Sequence, residues 1–327
     1  MKQFIKACLT LGLSLALLTT GCGNSGSGNG PGIQSGQSNQ GSSGNQGGST
    51  STLDPTVKGT RDNTSVILTP EATGTTVFTC EVATIDVSNA SEGYIMADYY
   101  GSCGKVKFQV KGPDGITYTY NLHGGYEVFP LTAGDGEYSV GIYENVAGTK
   151  YSTTLATKFE TVISNSFGPY LYPNQYVNFA PTSLPVAKAV ELAFPANIDL
   201  EVVEQVYNYI ISNFTYDTEK AATVPTGYLP VVDEVFVANT GICFDYASVM
   251  ATMLRTQGIP TRLEVGYMGE EYHAWISVYI EEMGWINGLI EFNGVSWNML
   301  DPTFASSSKK PKRFITENSK YTTKYVY

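Results

Sequence analysis

The chain has 327 residues, 42% of them hydrophobic and 15% charged, which argues against collagen-like, disordered and many-span membrane classes and leaves room for roughly two domains. Nineteen Lys and Arg stand against 30 Asp and Glu, a formal charge of −11, and no basic stripe is present to hold phosphates, so a nucleic-acid partner is not expected. Five cysteines without a Cys-x-x-Cys pair make neither a disulfide scaffold nor a zinc knuckle, and each is read singly.

Residues 1–21 have the build of a secretory signal: Lys2 and Lys6, an apolar run from Ala7 to Leu18, and small residues before Cys22. Leu18-Thr19-Thr20-Gly21-Cys22 resembles a bacterial lipobox, with Thr19 where that motif usually has Leu. The resemblance implies lipid on Cys22 and retention on the outer face of the cell membrane. Loss of the leader would leave 17 basic against 30 acidic side chains, a net −13, and would remove Cys8. From Gly23 to Thr52 the chain is Gly, Ser, Asn, Gln and Thr with Ile33 and Pro31 and no charge, too polar to order itself. The span 22–62 is expected to be a tether, its Gly/Ser-rich part reaching roughly 30 Å.

Residues 63–183 read as short strands: Ser65–Leu68, Thr75–Ala83, Gly93–Tyr100, Lys105–Lys111, Thr117–Leu122, Tyr138–Glu144 and Tyr151–Phe159. Val106, Phe108 and Val110 share one face, Lys105, Lys107, Gln109 and Lys111 the other, and Pro113-Asp114-Gly115 supplies a turn. Strands at this spacing predict an all-β, immunoglobulin-like sandwich of roughly 100 residues, usually a binding or spacer module. Cys80 and Cys103 are candidates for a disulfide there, against the alternative of Cys80 as a core filler. His123 reads as a turn residue.

After Pro185 the period becomes helical. Val186, Val190 and Ala193, then Val202, Val206, Tyr209 and Ile210, recur at three- and four-residue spacing in the second domain, 184–327. Cys243, Ala247, Met250 and Leu254 mark a further helix that Gly258 and Pro260 stop, which places Cys243 at a helix N-terminus. Free amides and the positive helix end favour a thiolate there. The bland alternative is a small buried hydrophobe.

A nucleophilic cysteine needs a base, and His273 is the one histidine in this domain. The period of Glu271–Ile280 predicts a strand with His273, Trp275, Ser277 and Tyr279 on one face and Ala274, Ile276, Val278 and Ile280 on the other. Asp301, in Asn298-Met299-Leu300-Asp301-Pro302, ends a further short strand with the carboxylate that would orient an imidazole.

Thr240-Gly241-Ile242-Cys243-Phe244-Asp245-Tyr246-Ala247, Tyr272-His273-Ala274-Trp275 and Asp301-Pro302-Thr303-Phe304, in that order, resemble the transglutaminase-like superfamily in its bacterial secreted branch. The likeness runs from Leu184 to Ala305. It implies a papain-like α+β domain, so the expected fold is multidomain, an N-terminal all-β immunoglobulin-like sandwich followed by a C-terminal α+β transglutaminase-like domain. It implies Cys243 as nucleophile, His273 as base and then acid, Asp301 as orienting carboxylate, and Tyr216 as candidate second donor to an oxyanion beside the Cys243 N–H. It implies no metal and no cofactor. Asp245, in the helix first turn, is stabilising without a catalytic role, and Trp275 is expected to pack the sheet.

The implied chemistry is acyl transfer on amides of extracellular proteins or peptides, including peptide stems of the wall, with hydrolysis favoured because water is always present at an exposed surface. The rival from another class is a non-catalytic surface-binding lipoprotein with this domain as scaffold. A zinc site from Cys243, His273 and Asp301 lacks a second close ligand pair. The tail from Ser306 to Tyr327 holds the one basic cluster and reads as a solvated strand edge or a frayed end.

Overall fold

The computed structural model describes residues 53–268, 270–292, 297–299 and 321–327. The leader, Cys22 with most of the tether, and Asp301 lie outside the described residues. No described helix is long and apolar enough to cross a membrane.

Eight antiparallel strands build the N-terminal unit. They are β1 (Val77–Thr79), β2 (Ala83–Asp86), β3 (Tyr94–Tyr99), β4 (Val106–Lys111), β5 (Thr117–Leu122), β6 (Glu127–Pro130), β7 (Gly136–Ala147) and β8 (Lys150–Thr161). They form two four-stranded sheets, ordered β1-β2-β3-β6 and β5-β4-β7-β8. The sheets pack face to face: the Phe129 ring of β6 lies 4.5 Å from Phe108 of β4 and 4.7 Å from Tyr120 of β5. Strand β4 has the expected alternation, with Val106, Phe108 and Val110 buried and Lys111 exposed.

Two strands were not expected. In β2 all four residues are buried, so it carries no alternation, and β6 is four residues long and ends on Pro130 at a sheet edge. The Cys80–Cys103 bridge is not formed. Both are thiols, and Cys103 Sγ points instead at the carbonyls of Lys105 and Asn145, at 3.5 and 3.8 Å. His123 is exposed just after β5, its Nδ1 3.2 Å from Glu127 Oε2, as a turn residue should be.

The C-terminal unit contains α1 (Leu184–Ala193), α2 (Asp199–Asn213), β9 (Thr215–Tyr216), α3 (Thr218–Thr223), α4 (Val232–Ala238), β10 (Thr240–Gly241) and α5 (Cys243–Arg255). It continues with β11 (Thr261–Met268), β12 (Glu271–Ile280), β13 (Gly284–Phe292), β14 (Trp297–Met299) and β15 (Tyr321–Val326). A five-stranded antiparallel sheet runs β14-β13-β12-β11-β15. Helix α5 is buried from Asp245 to Arg255, because its sequence is apolar or small nearly all round, and it packs against α1, α2 and α4 as well as β11 and β12.

Two segments lie differently from the expected boundaries. The stretch 59–66, assigned to the end of the tether and the first sandwich strand, lies along the C-terminal unit. Gly59 N–H donates to Phe194 O at 2.9 Å, Val66 N–H to Thr256 O at 2.9 Å, and Arg61 holds Asp199 at 2.5 Å and Gln257 O at 2.6 Å. A Cβ on Gly59 would come within 2.0 Å of Ala196 O, so the close approach requires glycine. At the other end β15 is an integral edge strand, and Tyr327 is buried, exchanging backbone hydrogen bonds with Leu263 at 2.8 and 2.9 Å.

The Tyr327 ring stacks on Tyr176 at 3.8 Å and meets Tyr118 and Tyr120 edge-on at 5.6 and 6.1 Å. Val326 N–H donates to Tyr118 OH at 3.3 Å. These tyrosines join the two units, and burial drives the Tyr327 phenol well above its ordinary range, so its hydroxyl stays protonated.

Candidate active site

Cys243 is the first residue of α5. The ribbon before it is set by a parallel pairing of β9 with β10, in which Tyr216 stands opposite Gly241. Thr215 N–H donates to Asn239 O at 2.9 Å and Asp217 N–H to Gly241 O at 2.8 Å. Asn239, at φ 49°, ends α4 in the left-handed conformation that asparagine tolerates and so turns the chain into β10. Tyr216, named from the sequence as a candidate donor, is thus two residues from the nucleophile across one hydrogen-bonded pairing, with its ring 6.5 Å from Tyr246.

Asp245, the third helical residue, caps the helix. Its Oδ2 accepts from the Ile242 N–H at 2.8 Å. A Cβ on residue 241 would lie 2.6 Å from Asp245 Cβ, so Gly241 is what lets the carboxylate fold back over the chain. The cap has two further partners that the sequence did not reveal. Lys220 Nζ lies 2.7 Å from Oδ2, and Tyr228 OH donates to Oδ1 at 2.5 Å. Lys220 Nζ also donates to Tyr228 OH at 2.7 Å, and both residues line a ≈370 Å³ surface trough with Asp217 and Pro225. Burial, then the hydrogen bond to Asp245, drives the Tyr228 phenol far above its usual range, so Tyr228 remains a donor.

His273 is the third residue of β12, opposite Gly266 of β11. At the far end of the helix Arg255 Nε and Nη2 donate to Thr261 O at 3.0 and 2.8 Å, and Thr261 pairs with Val278. From Arg255 back to Cys243 is ~18 Å of helix at ~1.5 Å per residue. From Val278 back to His273 is ~17 Å of strand at ~3.4 Å per residue. Helix α5, which starts at Cys243, packs against β11 and against β12, the strand that carries His273.

His273 is 8% exposed, and burial lowers its pKa to about 4. The imidazole is therefore uncharged throughout the neutral range. Its Nε2 is buried with no hydrogen-bond partner among the described residues. Trp275 is 2% exposed with its ring stacked 6.3 Å from His273, packing the sheet as expected. Strand β14 ends at Met299, two residues before Asp301, which lies outside the described residues. Among the described residues no three His, Cys, Asp or Glu side chains are grouped so as to hold a metal ion.

Residues 187–288, a span that includes both Cys243 and His273, match the model of the transglutaminase-like superfamily core domain. The chain is 31% identical over 140 residues to the uncharacterized protein YebA of Bacillus subtilis strain 168, covering 36% of this chain and 19% of that protein. It is 34% identical over 88 residues to a protein-glutamine gamma-glutamyltransferase of Pseudomonas aeruginosa PAO1, covering 23% of this chain and 13% of that protein. It therefore spans about a fifth or less of the length of these curated relatives. Among solved structures it is similar to the periplasmic domain of TgpA from Pseudomonas aeruginosa, at 16% identity and TM-score 0.30, covering 75% of this chain and 80% of that one. It is also similar to red sea bream transglutaminase, at 14% identity and TM-score 0.24, covering 64% of this chain and 48% of that one.

Proposed function

Because its C-terminal domain belongs to the transglutaminase-like superfamily, we propose that this chain is a surface-anchored cysteine enzyme that transfers acyl groups from amide bonds of extracellular proteins or peptides, with water as the usual acceptor. The observation that carries this reading is Cys243 at the first position of α5, a helix that packs against β12, the strand holding a buried, uncharged His273. His273 takes the thiol proton, Cys243 sulfur attacks the amide carbonyl, and the imidazolium returns the proton to the departing amine. Water then resolves the thioester. The Cys243 N–H and Tyr216 are the donors to the oxyanion, a role supported by the pairing of Tyr216 with Gly241.

The same burial that keeps His273 neutral makes an imidazolium there costly without a counter-charge, and Asp301 is the carboxylate assigned to supply it. The N-terminal unit is read as an immunoglobulin-like spacer or binding module. Its support is the strand order: β4 and β5 form a hairpin in the sheet that also holds the β7-β8 hairpin, while β3 pairs with β6 across the crossover. Lipid on Cys22 and the tether would hold the enzyme at the outer membrane face.

The acceptor is tested by incubating isolated surface proteins with the full chain in ¹⁸O-water with a fluorescent primary amine. Hydrolysis predicts ¹⁸O in new carboxyl groups and no amine incorporation, both relative to Cys243→Ala. Amine incorporation would make the enzyme a crosslinker. Neither label above the Cys243→Ala background would overturn the enzymatic reading.

A further inference from the structure

A carboxylate two residues from a nucleophilic thiol poses an electrostatic problem. Asp245 is completely buried, and an uncompensated anion in the first turn of α5 opposes a second anion on Cys243. Its cap bond to the Ile242 N–H fixes the peptide just before the nucleophile, so the carboxylate cannot be dispensed with cheaply. Lys220 resolves the conflict, with Nζ 2.7 Å from Asp245 Oδ2. Among the described residues this is the one ion pair whose carboxylate is wholly shielded from solvent.

A cap of the same type elsewhere in the chain has no such cation. Asp217 caps α3 through the Lys220 N–H at 2.8 Å, is only half-buried, and has no ion pair among the described residues. Helix α3 itself buries no residue. The Lys220 ammonium also sits 4.4 Å from the Tyr228 ring centroid and donates to its hydroxyl, which fixes the cation over the carboxylate from a second side.

We infer that Lys220 is a positioning residue for the nucleophile: it neutralises Asp245, so that the aspartate can cap α5 without suppressing the Cys243 thiolate. This rests on the reading of Cys243 as a nucleophile. Other titratable groups on the surrounding elements include Tyr216 of β9, Asp217 beside it, Tyr228, Asp233 and Glu234 of α4, Tyr246 of α5, Glu264 of β11, Tyr272 and His273 of β12, and those of α1 and α2, such as Glu191 and Glu204. Glu264 is occupied by Thr323 Oγ1 at 2.9 Å, and Glu234 acts on Tyr228. Asp245 is the carboxylate nearest in sequence to the thiol, and Lys220 is the cation bound to it.

The test is iodoacetamide alkylation of Cys243 in the full chain as a function of pH, read on the Cys243 peptide, with a thermal melt of each variant. Lys220→Met is expected to raise the alkylation midpoint by about one pH unit, a slowing of about tenfold below the midpoint. Lys220→Arg keeps the wild-type profile, and adding Asp245→Asn to Lys220→Met restores reactivity to within a few-fold, because the offending charge is then gone. If Lys220→Met does not fold, Lys220→Gln, which retains a donor for Tyr228, takes its place with the same expectation. An unchanged midpoint in the lysine variant, or a double variant no faster than the single one, overturns the role of Lys220. An ordinary thiol midpoint in the wild-type chain overturns instead the nucleophile reading on which it rests.

Discussion

Strands β4 and β12 bury their residues in different ways. In β4 only alternate residues are dry, and Lys107, Gln109 and Lys111 keep contact with water. In β12 every side chain from His273 to Val278 is buried, on both faces. A polar group on the wet face of β4 therefore costs less than on β12, where His273 and Ser277 are held out of water against a desolvation penalty. At His273 the same burial lowers the pKa of the imidazole.

Four substitutions break or sharpen this contrast. The largest effect is expected at Arg255, which is fully buried and donates to the carbonyls of Thr261, of Tyr172 at 2.7 Å and of Tyr327 at 2.8 Å. Arg255→Met strands those acceptors in the core and should cost about 3–5 kcal/mol in urea unfolding. A loss below about 1 kcal/mol would mean that the carbonyls find other donors.

The second effect depends on pH. The folded pKa of His273, about 4, lies below its unfolded value of about 6.5, so the unfolded chain binds more protons between these values. Stability should be fully present above pH ~6.5 and fall as the pH drops toward ~4, by about 3 kcal/mol from this group. The difference between wild-type and His273→Gln unfolding curves isolates it. A difference that does not vary with pH would place His273 in a wetter setting.

Arg61→Ala, which frees the 59–66 segment from Asp199 and Gln257, is expected to cost about 1–2 kcal/mol and to expose that segment to protease. Protection unchanged from wild type would show that the segment is held by its backbone bonds alone. On β4, Gln109→Ala should change stability by less than about 0.5 kcal/mol, the ordinary result at a wet face.

The same contrast explains what was legible in the sequence. Strands β4, β5, β7 and β8 follow from local alternation, and α5 with Cys243 at its start follows from helical period and the stops at Gly258 and Pro260. Strand β2 has no wet face and so no period to read. The placing of 59–66, of β15 and of Tyr327 depends on partners more than 60 residues away, such as Ala196, Gln257, Leu263 and Tyr118, which local pattern does not encode. In the site, Cys243, His273 and Asp245 were each visible as residue types in a local setting. Lys220 and Tyr228 were not, because a lysine in a six-residue exposed helix and a tyrosine in a loop acquire meaning only when folding brings them to a buried carboxylate.

The most direct measurement compares how fast iodoacetamide modifies Cys243 at pH 6 in the wild-type chain and in His273→Ala, with Cys80 and Cys103 of the same molecule as internal references. Modification of Cys243 at least tenfold faster than the other two, lost in His273→Ala, is the predicted result. Equal rates at all three cysteines, or an advantage of Cys243 that survives the loss of the imidazole, would contradict it.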